Sequence, residues 1–240
     1  MKITLAQTQS KKGNIDTNIE HHIHCIEYAE GSDLIIFPEL SITNYEPELA
    51  KELAFEIDDP RLTIFQNLAI KQHQIIGISL PIKTKSKPRI GLLFFHPTKP
   101  KQLYEKQYLH ADEVPFFDPG TQQVYLNEAL NIAPAICYEV SVEAHAKAAF
   151  QHPTDIYFAS VAKTQTGVQN AHAQLREISE QHSCVAMMVN AVGPADNFIN
   201  AGQSGIWNNG SKIIDANQYF EQLITFDTIS LNTTVMNIPS

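Results

Sequence analysis

The sequence predicts an α/β protein, because short apolar runs typical of buried strands alternate with segments of helical periodicity. The first strand is expected at Lys2–Thr8, and isoleucines then recur at helical spacing from Ile15 to Ile26. A second apolar strand follows at Asp33–Phe37. Periodicity does not decide whether the strands form one sheet or two.

The alternation continues along the chain. Asp59 and Pro60 predict a helix start, since a capping residue precedes a proline at the first helical position. Two more helices are expected at Ser141–Phe150, with Ser141 as the N-cap, and at Val168–His182. The other expected strands are Gln74–Leu80, Ile90–Phe95, Gln122–Leu126, Leu130–Ile136, Asp155–Ser160, Cys184–Asn190, Gln203–Trp207, Lys212–Asp215 and Gln222–Phe226.

We expect one domain over residues 1–240, with a loop at 106–120 and a polar C-terminal tail at 228–240. The chain of 240 residues is 43% hydrophobic, which is enough to bury a full core. Its net charge of −9 argues against nucleic-acid binding and against attraction to an anionic membrane surface. No run approaches the roughly 20 apolar residues of a membrane span.

The N-terminus lacks the pattern of a signal peptide. Cys25, Cys137 and Cys184 are far apart and do not form a disulfide framework, so a cytoplasmic location is expected. Cys25 and Cys184 lie in apolar patterns and are interpreted as structural.

Three residues with complementary chemistry stand near the ends of likely strands. Cys137 follows the run Leu130–Ile136, Glu39 follows Leu34–Pro38, and Lys106 lies in a polar stretch. A strand-to-helix turn points helix N–H groups at a thiol, which favours the thiolate. A carboxylate at the edge of a core has a raised pKa and can exchange a proton near neutral pH. Together these groups are the parts of a nucleophilic hydrolase.

The three segments resemble the motifs of the nitrilase, or carbon–nitrogen hydrolase, superfamily. The matching segments, in the order typical of the family, are Phe37-Pro38-Glu39-Leu40 with Tyr45, Tyr104-x-Lys106-x-x-Leu109, and Ile136-Cys137-Tyr138-Glu139. The resemblance covers roughly residues 1–215. It implies a four-layer α-β-β-α sandwich and a homodimer or higher homo-oligomer. It also implies hydrolysis of a small amide or carbamoyl compound.

The resemblance also assigns roles. Cys137 is the expected nucleophile, which forms a thioester, and Glu39 is the expected general base. Lys106 and the backbone N–H of Tyr138 are expected to stabilise the oxyanion. Glu113 matches the family's second glutamate, which supports Lys106 or the substrate. This route needs no cofactor and no metal.

By the same resemblance, the stretch after the strand at 155–159 lines the substrate pocket. Its candidates are Ser160, Val161, Ala162 and Lys163, and Lys163 is a candidate contact for a substrate carboxylate. Tyr45 and Tyr138 are expected either to wall the site or to be core aromatics.

Two departures from the family pattern leave the substrate open. An arginine and a proline that many members carry after the cysteine are missing from Val140–Glu143, and Ile178–His182 replaces another family pattern. The alternatives are therefore nitrile hydrolysis, an acyltransferase using the same thioester, and a non-catalytic binding member of the fold. A Cys–His hydrolase using His145 or His172 is a further alternative.

Overall fold

The computed structural model describes residues 1–239, and Ser240 lies outside the described residues. The strands in chain order are β1 (Lys2–Gln7), β2 (Leu34–Ile36), β3 (Ile75–Ile82), β4 (Arg89–Phe95), β5 (Gln102–Glu105), β6 (Leu126–Asn127), β7 (Asn131–Ile136), β8 (Ile156–Val161), β9 (Val185–Asn190), β10 (Val192–Ala195), β11 (Phe198–Ala201), β12 (Gly205–Asn208), β13 (Ser211–Asp215), β14 (Gln222–Asp227) and β15 (Thr233–Asn237). The α-helices are α1 (Ile15–Tyr28), α2 (Thr63–Gln72), α3 (Glu143–Ala149) and α4 (Gln165–Gln181). Short 3-10 helices occupy Pro47–Leu49, Pro60–Leu62 and Cys137–Ser141.

The strands form two main sheets. The first has seven strands in the order β15-β14-β1-β2-β3-β4-β5, and the second has six in the order β13-β12-β9-β8-β7-β6. β10 and β11 make a separate hairpin. The central strands β1, β2 and β3 run parallel in the first sheet, as do β7, β8 and β9 in the second. The carboxyl ends of β2, β7 and β8 lead into the candidate site.

Three hydrophobic clusters define four layers. One cluster fills the space between the sheets, where Phe94 of the first sheet meets Phe158 of the second edge-to-face at 6.1 Å. A second cluster packs α1 and α2 on the outer face of the first sheet, and a third packs α3 and α4 on the second sheet. The helix-sheet-sheet-helix order confirms the predicted sandwich.

The helices begin where side chains satisfy free backbone N–H groups. Asn14 and Thr164 each accept an N–H from the first turn of α1 and α4, both at 3.3 Å. Asp59 and Pro60 start a 3-10 turn that leads into α2, as the sequence predicts. Among the described helices, none is long and apolar enough to cross a membrane.

The structure differs from the sequence prediction around the cysteine. Helix α3 begins at Glu143 rather than Ser141, because a 3-10 turn takes up Cys137–Ser141. Ser141 does not cap the helix, and its hydroxyl donates to Gln174 instead.

Edge and hairpin strands are the other differences. Residues 228–240, predicted as a tail, contain β15, which pairs antiparallel with β14, while Ser240 lies outside the described residues. Like β15, the strands β5, β10 and β11 are not predicted from the sequence. The predicted strand Gln122–Leu126 is reduced to β6. These segments are short or half-exposed and lack a strong apolar pattern.

Candidate active site

The turn that carries Glu39 follows β2 and is held by two serines. The Ser160 hydroxyl donates to the Phe37 carbonyl at 2.8 Å, and Ser79 Oγ accepts the Leu40 N–H at 2.9 Å. Leu40 has a φ of 52°, a left-handed conformation that costs a non-glycine residue about 1–2 kcal/mol. The surrounding contacts must therefore hold the turn, which fixes the buried Glu39 carboxylate.

Lys106 lies between two buried carboxylates. Its Nζ donates to Glu39 Oε1 at 2.7 Å and to Glu113 Oε1 at 2.6 Å, and all three side chains are buried. Burial lowers the pKa of Lys106, but the two carboxylates outweigh it and the net shift is upward. Lys106 is therefore a cation held by charge-assisted hydrogen bonds beside Cys137.

A close backbone approach positions the lysine. The Gly120 N–H donates to the Lys106 carbonyl at 2.7 Å, and the Lys106 N–H donates to the Ile90 carbonyl at 2.9 Å. A Cβ on Gly120 would lie 2.4 Å from the Glu105 carbonyl oxygen, so this position requires glycine. The glycine after Pro119 thus anchors the lysine segment to the edge of the first sheet.

Cys137 stands at a strained turn between β7 and the 3-10 helix that follows it. Its φ is 47°, and its half-buried thiol lies 3.8 Å from the Ala162 carbonyl oxygen. Burial and Glu39 raise the pKa of the Cys137 thiol to about 11, against a lowering by Lys163 and Lys106. The resting thiol is protonated at neutral pH, so it needs a base before it can act as a nucleophile.

Glu39 is placed to be that base. Its Oε1 is engaged by Lys106, whereas its buried Oε2 has no hydrogen-bond partner within residues 1–239. Burial raises the pKa of Glu39, Lys106 lowers it, and Glu113 raises it, with a net upward shift. The neighbouring Cys137 thiol adds a small lowering of that pKa. A carboxylate with a raised pKa and one free oxygen beside a thiol can accept its proton.

Glu113 joins Lys106 to the wall of the site. Its Oε1 accepts the Tyr45 hydroxyl at 2.9 Å as well as the Lys106 ammonium, and its Oε2 accepts the His110 N–H at 2.8 Å. Lys106 therefore contacts both of the glutamates that the resemblance indicated. Glu113 is the one that faces the pocket.

A third buried glutamate, Glu139, connects the lysine and cysteine segments. Glu139 Oε2 accepts the Tyr104 hydroxyl at 2.7 Å and the Ile136 N–H at 2.7 Å. Its Oε1 accepts the backbone N–H groups of Gln107 at 2.6 Å and Tyr108 at 3.2 Å. We call this arrangement the Glu139 clamp. It holds the residues around Lys106 against the turn that carries Cys137.

Burial raises the pKa of Glu139 to about 7, against the lowering effect of the hydrogen bonds it accepts. In the sequence, Glu139 stands out only as part of the cysteine motif. The available signal was an acidic residue at a fixed place in that motif, directly before an apolar residue, but nothing in the sequence identified its partners.

The pocket beside Cys137 has a volume of about 230 Å³. Its predicted lining residues include Tyr45, Ala162 and Lys163, which all lie there together with Tyr138. Phe198 was missed because it comes from the unpredicted β10–β11 hairpin, and its ring packs edge-to-face on Tyr45 at 5.6 Å. The remaining lining residues are His110, Glu113, Thr164 and Gly167.

The structure corrects the pocket prediction at two positions. Ser160 is buried between the sheets, where it donates to Phe37, and Val161 packs in the outer cluster with α4. Both still belong to β8, whose side chains alternate between the two faces of its sheet. The chain reaches the pocket only at Ala162, where the strand has ended.

The two candidate histidines make other contacts. His145 is buried, and its ring nitrogens lie 2.9 Å from the Tyr104 and Tyr157 hydroxyls. Burial lowers its pKa to about 4, so it is neutral. His172 Nε2 lies 2.9 Å from the Gln203 carbonyl. Within residues 1–239 neither histidine hydrogen-bonds Cys137, and no group of three or more His, Cys, Asp or Glu side chains is arranged to hold a metal ion.

Comparison with known proteins assigns the family. Residues 2–235 match the family described as carbon-nitrogen hydrolase. The chain belongs to that family. It is also 24% identical, over 96% of its length, to a glutamine-dependent NAD(+) synthetase from Aquifex aeolicus. The chain spans only 42% of that relative.

Solved structures of the carbon-nitrogen hydrolase family share the fold. XC1258 from Xanthomonas campestris, a CN-hydrolase superfamily protein with an arsenic adduct in its active site, superposes with a TM-score of 0.88 at 21% identity, covering 96% of this chain and 92% of that one. An amidase from Nesterenkonia sp. AN1, whose active-site cysteine carries a covalent adduct from fluoroacetamide, gives a TM-score of 0.83 at 18% identity, covering 94% and 89%. At sequence identities of 21% and 18%, these similarities show a shared fold.

Proposed function

We propose that this carbon-nitrogen hydrolase is an amidase that hydrolyses small amides through a thioester on Cys137. The observation that carries the proposal is the position of Lys106, which is buried between Glu39 and Glu113 beside a pocket that opens onto the cysteine. This arrangement combines a nucleophile, a base and a fixed cation within one small space.

The chemistry follows from these positions. Glu39 accepts the Cys137 proton through its free Oε2, and the sulfur attacks the amide carbon. Lys106 and the backbone N–H of Tyr138 stabilise the oxyanion; Tyr138 lies in the first turn of a 3-10 helix, where N–H groups lack helical partners. Glu39 then returns the proton to the leaving ammonia or amine. Water, deprotonated by Glu39, cleaves the thioester and releases the carboxylic acid, and Glu39 returns that proton to the Cys137 sulfur.

The pocket volume favours a small substrate. At about 230 Å³ it is below the range of about 300–1,000 Å³ usual for drug-sized ligands. Tyr45 and Phe198 enclose it with aromatic rings. We therefore propose short aliphatic amides and carbamoyl compounds ahead of bulky ones. Glutamine belongs in the test panel, because the Aquifex relative is named for its dependence on it.

The test is ammonia release from a panel of aliphatic amides, glutamine, carbamoyl compounds and nitriles. We expect wild type to release ammonia from at least one amide, and Cys137→Ala to lose that activity while its circular dichroism is unchanged. Cys25→Ala, which removes a buried thiol of the outer layer, is the matched control and should retain turnover. Full activity in Cys137→Ala would overturn the proposal. Turnover of nitriles alone would favour the nitrilase reaction, and no turnover of any compound would favour a binding protein.

A further inference from the structure

Lys163 is a cation in the pocket for which residues 1–239 provide no partner. Its side chain is half-buried and lines the pocket with Cys137. Within residues 1–239 its ammonium makes no ion pair and donates no hydrogen bond. Lys106 differs, because two carboxylates hold it.

The backbone of Lys163 is held on both sides. Asn190 Oδ1 accepts the Lys163 N–H at 2.9 Å, and Asn190 Nδ2 donates to the Lys163 carbonyl at 3.1 Å. The Ala201 N–H donates to the same carbonyl at 2.9 Å. Asn190 is itself buried and donates to the Gly202 carbonyl at 2.8 Å. The start of the Lys163 side chain is therefore fixed, and only its flexible stem adjusts.

Two other polar side chains of the pocket wall, Glu113 and His110, already have partners within residues 1–239. Glu113 accepts Lys106, Tyr45 and a backbone N–H. The His110 side chain lies 3.4 Å from an Asp112 oxygen. The rest of the wall is largely aromatic or small, with Tyr45, Phe198, Ala162 and Gly167. Among the described residues of the pocket wall, the Lys163 ammonium is thus an unpaired charge that a bound substrate would meet.

A neutral amide would leave this ammonium half-buried and unpaired. A substrate that carries a carboxylate would supply a charge-assisted hydrogen bond, which is stronger than one between neutral groups. We propose that Lys163 binds a carboxylate on the acyl part of the substrate, so that the preferred substrates are monoamides of short dicarboxylic acids. This inference rests on the proposed amidase function and specifies its substrate class.

A competing role for Lys163 is to act on the cysteine. Lys163 lowers the pKa of the Cys137 thiol, so it also favours the thiolate. That role would affect every substrate equally, whereas carboxylate binding affects only the anionic ones. A comparison of two substrate classes therefore separates the two roles.

The experiment compares the monoamides of succinic and glutaric acid with the neutral amide butyramide. We expect wild type to have a higher kcat/KM for at least one monoamide than for butyramide. In Lys163→Met, the ratio of kcat/KM for that monoamide to kcat/KM for butyramide should fall about 10–100-fold, because one charge-assisted hydrogen bond is lost. The fall should come mainly from a higher KM for the monoamide. Lys163→Arg should restore most of the ratio, and Lys147→Met, which alters an exposed ion pair, is the control.

Three outcomes would overturn the inference. An equal loss for both substrate classes in Lys163→Met would assign Lys163 to thiol activation. A wild-type preference for butyramide would be consistent with the amidase proposal, but it would contradict the binding of a substrate carboxylate by Lys163. Absence of turnover for all three amides would contradict this inference, while the panel of carbamoyl compounds and other amides would still decide the proposed function.

Discussion

Glu113→Gln should move the acid limb of the pH profile to lower pH. Glu113 and Glu39 contact the same Lys106 nitrogen, at 2.6 and 2.7 Å, so their oxygens are roughly 5 Å apart or less. Glu113 raises the pKa of Glu39 and of Cys137 by repulsion. Two charges at about 5 Å in an effective dielectric of about 20 interact by about 3 kcal/mol, which corresponds to about two pKa units. The expected shift is therefore on the order of two pKa units.

The sign follows from the role of Glu39. Glu39 must be ionised to accept the thiol proton, so its pKa sets the acid limb of kcat/KM. Neutralising Glu113 removes a negative charge near it, which lowers that pKa and extends activity to more acidic pH. Ammonia release between pH 4 and 9 measures the limb. Asp112→Asn, an exposed change one residue away, should leave it in place. An acid limb that stays fixed or moves upward in Glu113→Gln would refute the assignment of Glu39 as the base.

Two further variants test the buried charges, and a third tests whether a histidine activates Cys137. Lys106→Met should lower kcat about 100–1,000-fold, because it removes an oxyanion donor, and ammonia-release kinetics measure the loss. Glu139→Gln should change the pH dependence of stability. Burial raises the folded-state pKa of Glu139 from about 4.5 to about 7. Its contribution to the free energy of unfolding is therefore full below pH 4.5 and falls by about 3 kcal/mol as the pH rises through 7. In urea titrations at pH 5 and 8, the free energy of unfolding of Glu139→Gln should not show this decrease, whereas that of the exposed control Glu143→Gln should. The same change in the free energy of unfolding between the two pH values in wild type and Glu139→Gln would contradict the raised pKa of Glu139. His172→Ala should retain turnover in the same assay, because its ring faces a backbone carbonyl, and loss of turnover with intact folding would revive a Cys–His mechanism.

The sequence predicted where the key residues stand in the chain but not how they meet. Cys137, Glu39 and Lys106 lie at or just beyond strand ends, and the ordered motifs were enough to single them out as candidates. The contact of Lys106 with both carboxylates depends on the irregular path of residues 106–120, which no hydrophobic period describes. The path of this segment depends on the close approach of Gly120 to the Glu105 backbone, and the sequence does not show that these two residues are in contact.

The pocket shows a different reason for error. Alternation along β8 was available from the sequence and would have turned Ser160 and Val161 to opposite faces of the sheet, away from the pocket. Phe198 could not have been predicted in this way, because its hairpin is a separate two-stranded element with half-exposed residues. The Glu139 clamp likewise joins segments about thirty residues apart in the chain. Such long-range polar contacts leave no local pattern.

The most direct measurement is the mass of the enzyme during turnover of an amide that it hydrolyses, quenched in acid and mapped by peptide. The acyl group should appear on the peptide that contains Cys137, with ammonia released before the acid, and should be absent from Cys137→Ala. The peptides of Cys25 and Cys184, both buried, provide internal controls and should carry no acyl group. Turnover without a covalent adduct on Cys137, or an adduct on another residue, would contradict the thioester mechanism.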